Sequence, residues 1–182
     1  MSRKNTFLIT AFGKDRPGIV AGVTGILYDL GANVEDASMT RLGGEFTMML
    51  VTSVPASLSG DKLERELKSL EKKLGIQTAA KGIPYAGGGS AQGAPPRYMI
   101  AVYGSDHPGI VYRVTDQLAK RKVSITDLQT KVTGGAKPVY VMLLEVQAPT
   151  SADMDDLRAA LDQLRQDLKV EITLQDIEAI PL

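Results

Sequence analysis

The chain has 182 residues, room for one large domain or two small ones at about 100–200 residues per domain. Lys+Arg and Asp+Glu are both 21 and cancel, so no bulk basicity supports nucleic-acid binding, which needs clustered excess Lys and Arg. With no Cys, no Trp and a single His, a disulfide framework, a thiolate nucleophile, a Cys-based zinc site and a His-rich metal site are all excluded.

Residues 1–6 lead into a short apolar run without a small-residue cleavage site, and no window approaches about 18 apolar residues, so a cytoplasmic location without membrane contact is expected. Thr6 to Phe12 has the β-branched and aromatic content of a buried central strand. Ile19, Val20, Val23, Ile26, Leu27 and Leu30 then follow helical spacing, and Gly31 closes that helix. Asn33 to Leu42 alternates with many polar residues, as an edge strand does. The Gly43-Gly44 turn returns the chain into Phe46 to Thr52 as a hairpin. Leu63, Leu67, Leu70 and Leu74 mark a second helix ended by Gly75, and Ile76 to Ala80 is a last short strand.

The same order then recurs. Gly13-Lys14-Asp15-Arg16-Pro17-Gly18-Ile19-Val20 is echoed by Gly104-Ser105-Asp106-His107-Pro108-Gly109-Ile110-Val111, and the match continues through Asp36 with Asp127 and Gly43-Gly44 with Gly134-Gly135. Three extra residues follow in the second copy, after which Phe46 aligns with Tyr140 and Met48 with Met142. The second copy reads as a strand over Tyr98–Tyr103, a helix from Pro108 to about Arg121, and strands near Val123–Val132 and Val139–Val146. A helix capped by Ser151 follows, with Met154, Leu157, Leu161, Leu164 and Leu168 on one face, and then a strand from Val170 to Leu174. The expected organisation is a first domain over 1–81, a Gly/Pro-rich linker over 82–96 and a second domain over 97–182. Each copy has the β-α-β-β-α-β order of a ferredoxin-like unit, with antiparallel sheet and both helices on one face. The fold class is therefore α+β.

The repeated loop is the candidate site. Pro17 suits a first helical position, with Arg16 as N-cap, leaving the Gly18 and Ile19 amides unpaired at the positive helix end, where a carboxylate or phosphate can bind. Asp15 has two readings. It caps the helix, or it accepts a hydrogen bond from a ligand ammonium group, which together with the amides would make an amino-acid site. His107 stands where the first copy has Arg16 and reads as an exposed loop residue. Glu35 and Asp36 are strand neighbours on opposite faces and make no catalytic pair. Gly22 and Gly25 on the first helix each cost about 1 kcal/mol relative to Ala. Either a partner helix approaches them closely or the cost is tolerated on a solvated face. Asp61 to Lys73 reads as a solvated helix face with i,i+4 pairs.

The motif Gly13-x-Asp15-Arg16-Pro17-Gly18-Ile19-Val20, the segment Leu30 to Asp36 and the hairpin Leu42 to Met48 resemble the ACT domain, and the tandem arrangement is similar to the glycine cleavage system transcriptional repressor group. The resemblance implies no enzyme and no cofactor, but a regulatory protein that senses a small molecule, such as an amino acid, between copies joined edge to edge. It would act through a protein partner, as a homodimer or larger, in gene regulation of glycine or one-carbon metabolism, without touching nucleic acid itself. The implied ligand contacts are Gly13, Asp15, Pro17, Gly18 and Ile19 from the loop and Asn33 and Val34 from a neighbour's strand start. Gly104, Asp106, Gly109, Ile110, Ser124 and Ile125 form the second set. Lys122 and Ser124 replace Gly31 and Asn33 there, so unequal sites are expected. Two alternatives are an ACT regulatory piece related to formyltetrahydrofolate deformylase, a class that needs a further catalytic domain, and a ligand-free oligomerisation module.

Overall fold

The computed structural model describes residues 5–84, 95–135, 138–150 and 152–177. The chain divides into two compact units, residues 1–90 and 91–182. Of the expected linker, residues 85–94 lie outside the described residues. Each unit is described by itself.

The first unit runs β1 (Asn5–Lys14), α1 (Ile19–Asp29), β2 (Asn33–Leu42), β3 (Glu45–Val54), α2 (Gly60–Leu74) and β4 (Ile76–Gly82); the second runs β5 (Arg97–Gly104), α3 (Ile110–Lys120), β6 (Ser124–Val132), β7 (Tyr140–Gln147), α4 (Met154–Leu168) and β8 (Val170–Ile177). The sheets have the orders β2-β3-β1-β4 and β6-β7-β5-β8, with every pair antiparallel. This is the ferredoxin-like arrangement twice over, and the fold is α+β.

Strand alternation places Ile9 and Ala11 of β1 and Phe46, Met48 and Leu50 of β3 on one face, in one core with Ile19, Val23 and Leu27 of α1 and Leu63, Leu67 and Leu70 of α2. Both helices thus cover that face. Ile100, Val102, Met142 and Leu144 do the same for α3 and α4 in the second unit. Fully burying each such side chain is worth about 1.5–3 kcal/mol. The edge strands β2 and β6 are exposed along their whole lengths. Each carries one bulge near its start, between Val34 and Asp36 and between Ile125 and Asp127.

Several helix ends differ from the sequence reading. Helix α1 begins at Ile19 with Gly18 as N-cap at φ 94°, so Pro17 and Gly18 form a turn ahead of the helix rather than its first residues. The Gly22 amide donates to Gly18 O at 2.8 Å, which starts the helical ladder there. Gly109 repeats this at φ 100°. Asp153, not Ser151, caps α4, its side chain accepting from the Asp155 and Asp156 amides at 3.0 Å; Ser151 lies outside the described residues. Strands β4 and β8 also run on, to Gly82 and Ile177.

Gly31 and Gly75 take the left-handed conformation after α1 and α2, and Lys122 and Lys169 hold the same conformation after α3 and α4, at φ 57° and 52°. The helix that approaches Gly22 is α2 of its own unit, since a Cβ on Gly22 would stand 2.7 Å from Leu74 Cδ1. Gly25 meets nothing within 4 Å, so its cost is simply carried. In the second unit Arg113 stands in place of Gly22 and bridges α3 to α4 through Asp167 at 2.7 Å.

Candidate functional site

The loop between β1 and α1 opens onto a groove of about 650 Å³ whose walls include Asp15, Pro17, Gly18, Ile19, Val20, Ala21, Met39, Arg41 and Phe46. No side chain caps α1. Its first-turn amides, those of Ile19, Val20 and Ala21, therefore have no helical partner. The pair of amides expected at Gly18 and Ile19 is thus replaced by a set shifted toward the helix, because the helix starts two residues after Pro17. A Cβ on Gly18 or Gly109 would meet nothing within 4 Å. Their glycines are set by positive φ, and the space in front of them is open.

Asp15 is not a helix cap. Its Oδ2 accepts from Arg41 Nη1 at 2.8 Å, and its backbone amide donates to Gly44 O at 3.0 Å. Arg41, Met39 and Phe46 are wall residues absent from the sequence-derived set. A signal for them existed: a two-residue Gly43-Gly44 turn sets Arg41 opposite Phe46, as observed. Gly13 has a packing reason of its own, since a Cβ there would lie 3.1 Å from Gly75 O and 3.2 Å from Ile76 Cα. Gly104 is tighter still, 2.6 Å from Val170 Cγ1.

Asn33 and Val34 sit at the other end of the sheet. Val34 pairs with Thr52, which pairs with Phe7, whereas the loop follows Lys14. Those ends are about 23 Å apart at about 3.3 Å per residue, so one unit does not bring the two halves of the expected contact set together. Asn33 Nδ2 instead donates to Glu35 Oε1 at 3.1 Å, and Ser53 Oγ donates to the same oxygen at 2.5 Å. Asp36 accepts from the Ala37 amide at 2.8 Å. Ser124 and Ile125 occupy the matching end of the second sheet, opposite Gln147 and Val146.

The second loop has the same backbone and different side chains. Asp106 is exposed and has no ion pair or side-chain hydrogen bond among the described residues. Val132 holds the position opposite Tyr140 that Arg41 holds opposite Phe46. Tyr140 is 7% exposed, and its phenol oxygen is buried without a hydrogen-bond partner among the described residues. Burial first, and the Asp106 carboxylate second, push that phenol above its ordinary value. His107 is not a free loop side chain: Nε2 lies 3.0 Å from Leu168 O at the end of α4. Arg16, the matching residue of the first unit, lies beside the end of α2, its guanidinium nitrogen 3.5 Å from where a Gly75 Cβ would stand. A cation or N–H donor beside the last helical carbonyls is favourable.

Among the described residues no three His, Cys, Asp or Glu side chains gather as metal ligands. No described helix is long and apolar enough to cross a membrane.

The ACT domain model matches residues 5–81 and again residues 97–175. The chain belongs to the ACT domain family. Among relatives, it is 26% identical over 183 residues to the glycine cleavage system transcriptional repressor of Escherichia coli, covering 94% of this chain and 90% of that protein. It is 43% identical over 70 residues to a UPF0237 protein of Clostridium acetobutylicum, covering 38% of this chain and 79% of the relative. A crystal structure of a Galdieria sulphuraria protein superposes with a TM-score of 0.83 at 26% identity, over 97% of this chain and 100% of that one. The match to the Escherichia coli repressor thus runs across both units, whereas the match to the Clostridium acetobutylicum protein takes in 70 residues.

Proposed function

We propose that this tandem ACT protein is a non-enzymatic regulator that binds a small carboxylate-bearing metabolite, an amino acid by preference, and passes its bound state to a protein partner. The observation that carries this reading is the groove at the start of α1, where three uncapped amides and Arg41 offer hydrogen-bond donors to an anion. Likeness to the Escherichia coli repressor over nearly the whole chain supports a role in regulating gene expression for glycine or one-carbon metabolism. In this reading the ligand joins a loop from one copy, Gly13 to Ile19 or Gly104 to Ile110, to a strand start from another, Asn33 and Val34 or Ser124 and Ile125. The exposed edge strands β2 and β6 are surfaces through which two molecules would join in a homodimer. Bound ligand favours one packing of copies by its different affinity for the two arrangements.

Thermal denaturation of the full chain against the twenty amino acids tests this. A true ligand stabilises the native state by RT ln(1 + [L]/Kd) and so raises Tm, and Asp15→Ala with Asp106→Ala together removes the rise. A flat response to all twenty defeats the sensor reading, and a rise that survives both substitutions moves the site elsewhere.

A further inference from the structure

Each sheet has a second edge, β4 in the first unit and β8 in the second, and the two are finished differently. Antiparallel pairing turns the backbone of alternate residues outward. The Ile83 amide donates inward to Thr6 O, so Thr78, Ala80 and Gly82 face away from β1, and their counterparts on β8 are Ile172, Leu174 and Asp176. On β8, Arg158 of α4 reaches over the edge, donating to Leu174 O at 3.2 Å and pairing with Asp176 at 3.6 Å. A guanidinium laid on the middle of an exposed edge keeps another strand from pairing there. On β4 the same place is open. Glu71 holds Thr78, accepting from its amide at 2.8 Å and its hydroxyl at 3.1 Å, but the Ala80 amide and carbonyl have no partner among the described residues. The side chains here are small as well: a groove of about 220 Å³ between α2 and β4, walled by Glu64, Leu67, Lys68, Thr78, Ala79 and Ala80, compares with about 120 Å³ at the matching place of the second unit, where Ile172 and Leu174 stand.

We infer that the β4 edge is a docking strand for the β4 edge of a second copy of this chain, the two strands running antiparallel about a two-fold axis at Ala80. The inference goes beyond the sensor reading and does not depend on it, and the contact is apart from β2, which lies at the opposite edge of the same sheet. With the axis at Ala80, the amide and carbonyl of that residue in each copy pair with those of the other. Each Gly82 amide donates to the Thr78 carbonyl of the other copy, and Glu71 keeps the Thr78 amide. What selects a second copy over another strand is charge. Glu64 and Lys68 stand one helical turn apart on the groove side of α2, both exposed, and neither has an ion pair or side-chain hydrogen bond among the described residues. Helix α2 ends at Leu74 and β4 starts at Ile76, so the helix runs back along its strand. The two-fold axis therefore sets the two α2 helices side by side and antiparallel, with Glu64 of each opposite Lys68 of the other. A self-complementary patch of this kind is what an isologous contact needs. The second unit carries the signs reversed, Arg158 for Glu64 and Asp162 for Lys68. A β8 edge from another molecule would thus set Glu64 against Asp162 and Lys68 against Arg158, like against like.

Sedimentation equilibrium of the full chain and three variants tests this. Ala80→Pro removes an amide that points away from β1, a place where an edge strand tolerates proline, so the unit should fold while the mass reached at high concentration falls to half or less. Glu64→Lys and Lys68→Glu each turn both cross-copy attractions into repulsions and should each weaken association about tenfold. Mixing these two variants in equal amounts sets every reversed position against an opposite charge, and association should return to the wild-type level. Circular dichroism checks that each variant is folded; if Ala80→Pro is not, the two exposed charge reversals and their mixture decide alone. A wild-type chain that stays monomeric up to its solubility limit overturns the inference. So does association that ignores Ala80→Pro in a folded protein, which would place the contact at another surface such as β2 and leave the sensor reading intact. Charge-reversed variants that fail to restore each other overturn it as well, since a partner other than a second copy would then be what the edge receives.

Discussion

Replacing Tyr140 by Phe should stabilise the ligand-free protein. The ring is 7% exposed and packs in the second core with Met142, Val102 and Ile110, so Phe keeps nearly all of the apolar contact. What it removes is a hydroxyl buried without a partner among the described residues. Leaving such a group unsatisfied costs about 1–3 kcal/mol. Deleting it leaves a gap of one oxygen atom, which returns part of the gain, so a net stabilisation of about 1 kcal/mol is expected. For a unit of this size that corresponds to about 4–8 °C in Tm. Urea denaturation followed by circular dichroism near neutral pH measures it directly. The phenol also adds a pH signature. Its folded value lies above the ordinary 10.0, so folding favours the protonated form, and the stability this contributes is present below 10.0 and lost as pH climbs toward the raised folded value. Tyr140→Phe lacks that loss, so its advantage should widen in alkali. A variant that is less stable than wild type by 0.5 kcal/mol or more near neutral pH, with about that margin as the resolution of a typical hydrogen-bond deletion, would show that the hydroxyl has a protein partner and would refute the reasoning.

Lys122→Gly and Lys169→Gly should each stabilise the second unit by about 0.5–1 kcal/mol in urea midpoints, because left-handed backbone at φ 57° and 52° disfavours a side chain. Gly104→Ala should destabilise by about 1–3 kcal/mol, since the new methyl would stand 2.6 Å from Val170 Cγ1 and 3.2 Å from Val170 Cα; Val170→Ala should rescue only part of it, as the backbone contact remains. His107→Ala should cost about 0.5–1.5 kcal/mol through the lost contact with Leu168 O, measured by urea denaturation.

The order of elements, the pairing of the hairpins and the two helix-covered faces were all legible, because periodicity and paired glycines report on local geometry that the chain carries within ten or so residues. That the repeated loop leads from a strand into a helix start was legible for the same reason. Gly18 as N-cap was not, since proline's preference for a first helical turn and glycine's freedom at positive φ compete over adjacent residues, and glycine's prevails here. Asp153 competes with Ser151 at the start of α4 in the same way, both being good capping residues two positions apart. Contacts such as Arg41 with Asp15, 26 positions apart, or Gly22 with Leu74, depend on how elements meet and leave no mark on local pattern. Tyr140 aligned with Phe46 in sequence, yet that its hydroxyl is buried and lacks a partner follows only from three-dimensional packing.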